Sequence, residues 1–172
     1  MKRLKLTVCL CLLIPTQFSF AQTCNPAIIA DAPNSRYTMN ANGTVVDKNT
    51  ALIWMRCALG QTWENNICVG SAQSYYWPDA LQAAESTVFA GKNDWRLPNI
   101  KELQSLIESR CYNPPINLTA FPNETGDGSY WTSSPVAGTG YGAWVVLFYS
   151  EGANRPRSMY YDNLVRLVRS GQ

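Results

Sequence analysis

The chain is predicted to fold as an α+β domain of short antiparallel strands with two helices and long loops, stapled by disulfides. Three observations predict it. Short β-branched and aromatic runs such as TVVD, ALIWMR and AWVVLFYS recur towards both ends, set off by Asn, Gly and Lys turns. Two central stretches place apolar residues at helical spacing. Four cysteines remain beyond an N-terminal leader, an even number of the kind exported chains use in bridges.

The leader reads from its composition. Lys2, Arg3 and Lys5 precede an apolar run from Leu6 to Ile14, and Ser19-Phe20-Ala21 follows. This pattern predicts a signal peptide over residues 1–21, cleaved after Ala21, and therefore an exported protein, periplasmic or extracellular. The apolar run is too short to span a bilayer, and no later run is long enough, so no membrane insertion is expected. Residues 22–36 form an N-terminal segment and residues 37–172 one domain, long enough to bury a single core. Three of the fourteen basic residues lie in the leader, so eleven stand against twelve acidic ones, a net charge of −1. That balance excludes a nucleic-acid partner, which needs a basic field over its contact face.

The elements follow in order. A turn at Asn42-Gly43 leads to a strand at 44–47, and a second turn at 48–50 leads to a strand over 51–56. Cys57 and Cys68 flank a stretch in which Asn65-Asn66 has hairpin-turn chemistry, which predicts that they face each other across neighbouring strands and bond. Cys24 then pairs with Cys111. On the loop-entropy model the longer closure contributes roughly 4 to 5 kcal/mol and the shorter about 3. Pro78 sits where a first helical turn tolerates it, and Ala80, Leu81 and Ala84 give one stripe, so a helix of about ten residues is expected, closed by Gly91. In DWRLPNIKELQSLI, Pro98 disfavours helix at Leu97, Asn99 is a cap and Glu102 lies three residues on, a capping box opening a helix over residues 100–109. Trp95 and Leu97 alternate into the core. Arg96 is left to pin a carboxylate such as Glu102. Residues 112–128, rich in Pro and Asn, predict a long surface loop. Strands are then expected at YWTSS and AWVVLFYS, a turn at Glu151-Gly152, and a closing central strand over 163–169.

The chemistry available is narrow. The chain has no histidine, which removes Ser-His and Cys-His nucleophile pairs, and bridged cysteines leave no thiolate. No catalytic residue, cofactor or metal site is assigned, and the protein is expected not to be an enzyme. The NETGDG run at 123–128 groups Asn123, Glu124 and Asp127, but it lacks EF-hand spacing and reads as a solvated loop rather than a calcium site.

GTVVDKNTALIWMRCALGQTW, DWRLPNIKELQSLI, INLTAFPNE, YWTSS and VRLVR together resemble, in order, the motifs of the Lcl C-terminal domain family, named for the last domain of a bacterial collagen-like adhesin. The resemblance spans about Tyr37 to Arg169. It implies a C-type-lectin-like fold in which N- and C-terminal strands pair, here 37–40 with 163–169, and a long loop region carries any binding site. For the named member it implies attachment to sulfated polysaccharide on host surfaces. Leu167 stands where many relatives have Cys. Ala51 replaces a common Gly, a change expected to be harmless if its φ is negative.

The function expected is an exported non-catalytic, adhesin-like binding module for glycan or cell-surface material, with an anionic glycan or a surface protein as partner. The alternative is a structural or assembly domain of a bacterial surface appendage. Arg155, Arg157, Arg166 and Arg169 are the densest basic groups. The last two fall on opposite faces of a regular strand, so the site is placed at Arg155 and Arg157, with Tyr161 and Trp144 offering flat surfaces for a sugar ring.

Overall fold

The protein is described by a computed structural model covering residues 22–124, 128–138, 140, 142–149 and 152–171. The expected signal peptide, Asp127 and Glu151 lie outside the described residues. In chain order the elements are β1 (Thr23–Cys24), β2 (Tyr37–Met39), β3 (Thr44–Asp47), β4 (Leu52–Met55), β5 (Thr62–Glu64), β6 (Ile67–Val69), β7 (Ser74–Tyr75), α1 (Trp77–Ser86), α2 (Ile100–Gln104), β8 (Cys111–Tyr112), β9 (Ser129–Pro135), β10 (Gly142–Leu147), β11 (Asn154–Ser158), β12 (Asn163–Leu164) and β13 (Val168–Ser170). The result is an α+β fold of mainly short strands, stapled by two disulfides.

A five-stranded sheet in the order β11-β10-β9-β12-β7 organises the core. Side chains alternate along β10, and both of its faces are covered. Ala143, Val145 and Leu147 pack with Ala80 and Ala84 of α1 and with Trp95, Leu97 and Trp131. Val146 packs with Leu103, Leu106, Tyr130 and Phe148 on the α2 side. Each fully buried Val or Leu here contributes about 1.5–3 kcal/mol relative to exposure. A second sheet, β13-β4-β3-β2, stands beside it.

The capping box forms as expected. The Asn99 side chain accepts from the Glu102 N–H at 2.9 Å, and Glu102 Oε2 accepts from the Asn99 N–H at 2.7 Å. Arg96 donates to both Glu102 oxygens at 2.8 Å, and Trp95 is 3% exposed. The helix is shorter than the 100–109 expected, because Ser105 Oγ donates to the Glu102 carbonyl and Ile107 pairs with Ile116 in an extended bridge. Leu106 is fully buried without being helical. Helix α1 has Pro78 in its first turn but ends at Ser86 with Thr87 as cap. Gly91, at φ +70°, belongs instead to the turn joining Phe89 and Lys92. Leu81 lies outside the buried stripe, which consists of Ala80 and Ala84. Small residues let this helix sit close on the sheet.

Both disulfides have the expected partners. Cys24 and Cys111 are directly opposed in the β1–β8 pair. Asn65 and Asn66, at φ +49° and +66°, turn β5 into β6, and Cys57 bonds Cys68. Cys57, however, lies beyond β4, and the residue facing Cys68 across the hairpin is Trp63. The bridge therefore clips the hairpin onto the neighbouring sheet rather than closing the hairpin itself. Gly43 makes this docking possible: a Cβ there would stand 2.6 Å from the Trp63 ring.

Three expectations are overturned. The described residues of the 112–128 stretch up to Glu124 are not a surface loop, since Ile116, Ala120 and Phe121 are fully buried. Their backbone is satisfied by side chains: Asn117 accepts from the Thr119 and Ala120 N–H groups, and Arg56 donates to the carbonyls of Thr119 and Ala120. Irregular chain can be buried when its polar groups are so met. Residues 163–169 are not one strand. β12 joins the five-stranded sheet and β13 the four-stranded one, while buried Val165, Arg166 and Leu167 cross between them. Finally, 37–40 does not pair with this segment. β13 pairs with β4, and β2 lies at the opposite edge of the same sheet with β3 and β4 between.

Candidate functional site

Arginine placement separates structural from available charge. Arg36 binds Asp47, Arg96 binds Glu102, Arg166 binds Glu124, Arg169 binds Asp94, and Arg110 lies 3.7 Å from Glu108. Arg56 has no carboxylate but donates to two carbonyls and stacks 4.2 Å over the Trp63 ring. Arg166 is 1% exposed, and its guanidinium sits 4.8 Å from the Phe121 ring centre. Arg166 and Arg169 are thus part of the core, and neither adds to a surface patch.

The carboxylates show the same commitment. Burial alone would raise the pKa of Asp47, but hydrogen bonds from Arg36, Thr50 and Asn49 outweigh it and hold the carboxyl below its ordinary value. Burial is likewise outweighed at Glu102 by Arg96 and the Asn99 N–H, and its pKa is lowered. Glu124, expected in a solvated loop, is buried and accepts from Arg166 and the Tyr130 hydroxyl, each at 2.6 Å. Asn123 accepts from the Cys68 N–H. Among the described residues no group of three metal-capable side chains occurs.

Arg155 and Arg157 differ from the other six arginines. Both lie on β11, the outer strand of its sheet, and neither has a carboxylate or carbonyl acceptor among the described residues. Arg155 is exposed, and Arg157 holds its guanidinium 5.4 Å from the Tyr161 ring centre. Register decides their direction. Arg155 faces Val145 and Arg157 faces Ala143, so both point to the α1 side of the sheet. Trp144 faces Pro156 and points to the other side. The structure therefore brings Tyr161 to the arginine pair and does not bring Trp144.

Tyr76 is the neighbour that sequence reading missed. The Trp77 N–H donates to the Met159 carbonyl at 3.3 Å, and Tyr75 pairs with Asn163, so the 74–77 segment lies against the 158–162 turn. Tyr76, Tyr160 and Tyr161 are 52%, 72% and 59% exposed. The only signal was two tyrosine pairs, at 75–76 and 160–161, far apart in sequence.

The family model described as Lcl C-terminal domain matches residues 43–169. The chain belongs to this family. A comparison with curated proteins returns no match. Within the Lcl C-terminal domain the matched region holds β3 through most of β13, including α1, α2 and both tyrosine segments, whereas β1 and β2 precede it. The Cys24–Cys111 bridge thus ties a segment outside the match onto the domain. Two disulfides suit an oxidising compartment outside the cytoplasm. Among the described residues no helix is long and apolar enough to cross a membrane.

Proposed function

We propose that this Lcl C-terminal domain is an exported, non-catalytic, C-type-lectin-like binding module that holds glycan or other cell-surface material at Arg155, Arg157 and Tyr161. One observation carries the reading: of the eight described arginines, the two with neither an ion-paired carboxylate nor a carbonyl acceptor among the described residues stand together on one exposed strand beside an exposed aromatic ring. Guanidinium forks are suited to carboxylate or sulfate groups, and a tyrosine face suits the apolar side of a sugar ring. The family match supports a surface-related role. The non-catalytic reading draws on the chain's chemistry: it has no histidine, and Cys24, Cys57, Cys68 and Cys111 are all bridged. The test is a glycan array probed with the purified domain at low and moderate salt. Binding to anionic glycans that weakens with salt supports the reading; an array blank at both salts defeats it.

A second reading, an assembly domain of a surface appendage, is favoured by a separate feature. Ile28 and Tyr112 are exposed around an open groove of about 670 Å³ that Cys111 also lines. Apolar groups clustered this way suit a protein partner. Stoichiometric co-purification from the native envelope that is lost on Ile28→Asp, together with a blank array, would favour it.

A further inference from the structure

Tyr76, Tyr160 and Tyr161 occupy adjoining backbone segments held by fixed contacts. The Trp77 N–H to Met159 carbonyl bond joins them, Ser74 Oγ donates to Asp162 at 2.9 Å, and Asn163 pairs with Tyr75. The residues flanking Tyr76 are anchored inward: the Tyr75 carbonyl accepts from the Trp131 indole at 2.7 Å, and the Trp77 indole donates to the Thr132 carbonyl at 2.8 Å. Tyr76 lies between them at the N-cap of α1 with no side-chain capping bond, so its exposed side chain has no role in ending the helix. Among the described residues no ring-to-ring contact joins the three tyrosines to one another or to another aromatic residue.

Their environment points to an occupant. A large aromatic side chain buries about 150–250 Å² when packed, so three exposed rings on adjoining segments forgo stabilisation that Tyr37 and Tyr130 gain in the core. Exposed apolar surface contributed by adjoining segments is a feature of recognition sites. Tyrosine offers a rigid face with little side-chain entropy to lose, and a hydroxyl at its rim. Asp162 and Ser74 on these segments supply donors and acceptors, and the Arg157 guanidinium lies beside the Tyr161 ring. Apolar faces edged by hydrogen-bonding groups match a pyranose, which has C–H faces and a rim of hydroxyls.

Building on the glycan reading, we propose that Tyr76, Tyr160 and Tyr161 form a stacking platform for the pyranose rings of a polysaccharide, and that ring contact rather than charge selects the ligand class. Arg155 and Arg157 then add affinity only for anionic substituents. The test compares dextran with dextran sulfate, which share a glucose backbone and differ in charge, by affinity electrophoresis of the wild type, the double variant Tyr76→Ala/Tyr160→Ala and the double variant Arg155→Ala/Arg157→Ala. Thermal unfolding and tryptophan fluorescence first establish that each variant is folded. The tyrosine variant is expected to weaken retardation by both polymers at least tenfold at low and moderate salt. The arginine variant is expected to weaken dextran sulfate alone. Retention of both affinities within twofold by the tyrosine variant, with loss in the arginine variant, overturns the platform while leaving the binding-module reading intact. A wild type retarded by neither polymer also overturns the platform, the broader reading being judged separately by the array.

Discussion

Ala51 adopts φ +57°, the left-handed region in which a Cβ crowds the following carbonyl. The turn between β3 and β4 requires that geometry, and the Ala51 carbonyl accepts from the Gly171 N–H at 3.0 Å. The condition under which alanine would be harmless here, a negative φ, is therefore not met. Relief of strain outweighs the extra unfolded-state freedom of glycine, so Ala51→Gly is expected to stabilise by about 1 kcal/mol and to raise Tm by roughly 2–4 °C. A lower Tm would show that the turn is not strained. Glu124 tests the opposite effect. Removing it by Glu124→Ala leaves Arg166 charged and enclosed, with a cost of about 3–5 kcal/mol in denaturant unfolding. A loss below 1 kcal/mol would mean that the pair contributes little to the fold. Protonation acts at the same scale. Asp47 and Glu102 have lowered folded-state pKa values, so their contribution is present above the ordinary values of 3.8 and 4.5 and is lost as pH falls below them. Tyr37 is pushed by burial up to about 12 from 10.0, so its contribution is full below pH 10 and fades as pH rises towards 12. Tm measured against pH is expected to be flat near neutrality and to fall on both flanks.

β11 shows how an element can have two uses. Leu147 N–H donates to the Ala153 carbonyl, which makes 145/155 and 143/157 the bonded pairs and turns the backbone of Pro156 to the open edge. A proline there denies a donor to any added strand, and flanking arginines repel a second copy. Pro156→Val is expected to leave Tm within about 1 °C of wild type while raising self-association in analytical ultracentrifugation. An unchanged monomer fraction would remove the guarded-edge interpretation. How legible an element is depends on the range of the forces that shape it. The Asn99–Glu102 box and the Asn65-Asn66 turn are local hydrogen-bond and dihedral preferences, so sequence reading located both. The break in 163–169 depends on two different sheets claiming opposite ends of one apolar run, and alternation alone contains no sign of it. Residues 112–128 were misread for a related reason: their Pro and Asn content is that of a loop, but Asn117 and distant Arg56 satisfy the backbone that burial would otherwise leave unpaired.

For the whole molecule, one bridge fastens the N-terminal strand β1 to β8 and the other fastens the β5–β6 hairpin to the chain leaving β4. Opening the 87-residue separation by Cys24→Ser/Cys111→Ser is expected to cost roughly 4 to 5 kcal/mol, against about 3 kcal/mol for Cys57→Ser/Cys68→Ser. Equal losses in chemical denaturation would argue against loop closure as the cause. The candidate site was half legible. Arg155 and Arg157 share a face because they are two apart, which is a property of any strand. Trp144 was misassigned because its direction depends on the register with Pro156, and Tyr76 was missed because only folding brings α1's first turn to the 158–162 segment. The most direct measurement is the affinity of the Arg155→Ala/Arg157→Ala variant, relative to wild type, for a sulfated glycan that the array identifies, at low and physiological salt with folding verified by Tm. A loss of tenfold or more at low salt, with most of the wild-type salt dependence gone, is the predicted result. Unchanged affinity and an unchanged salt response would contradict the site.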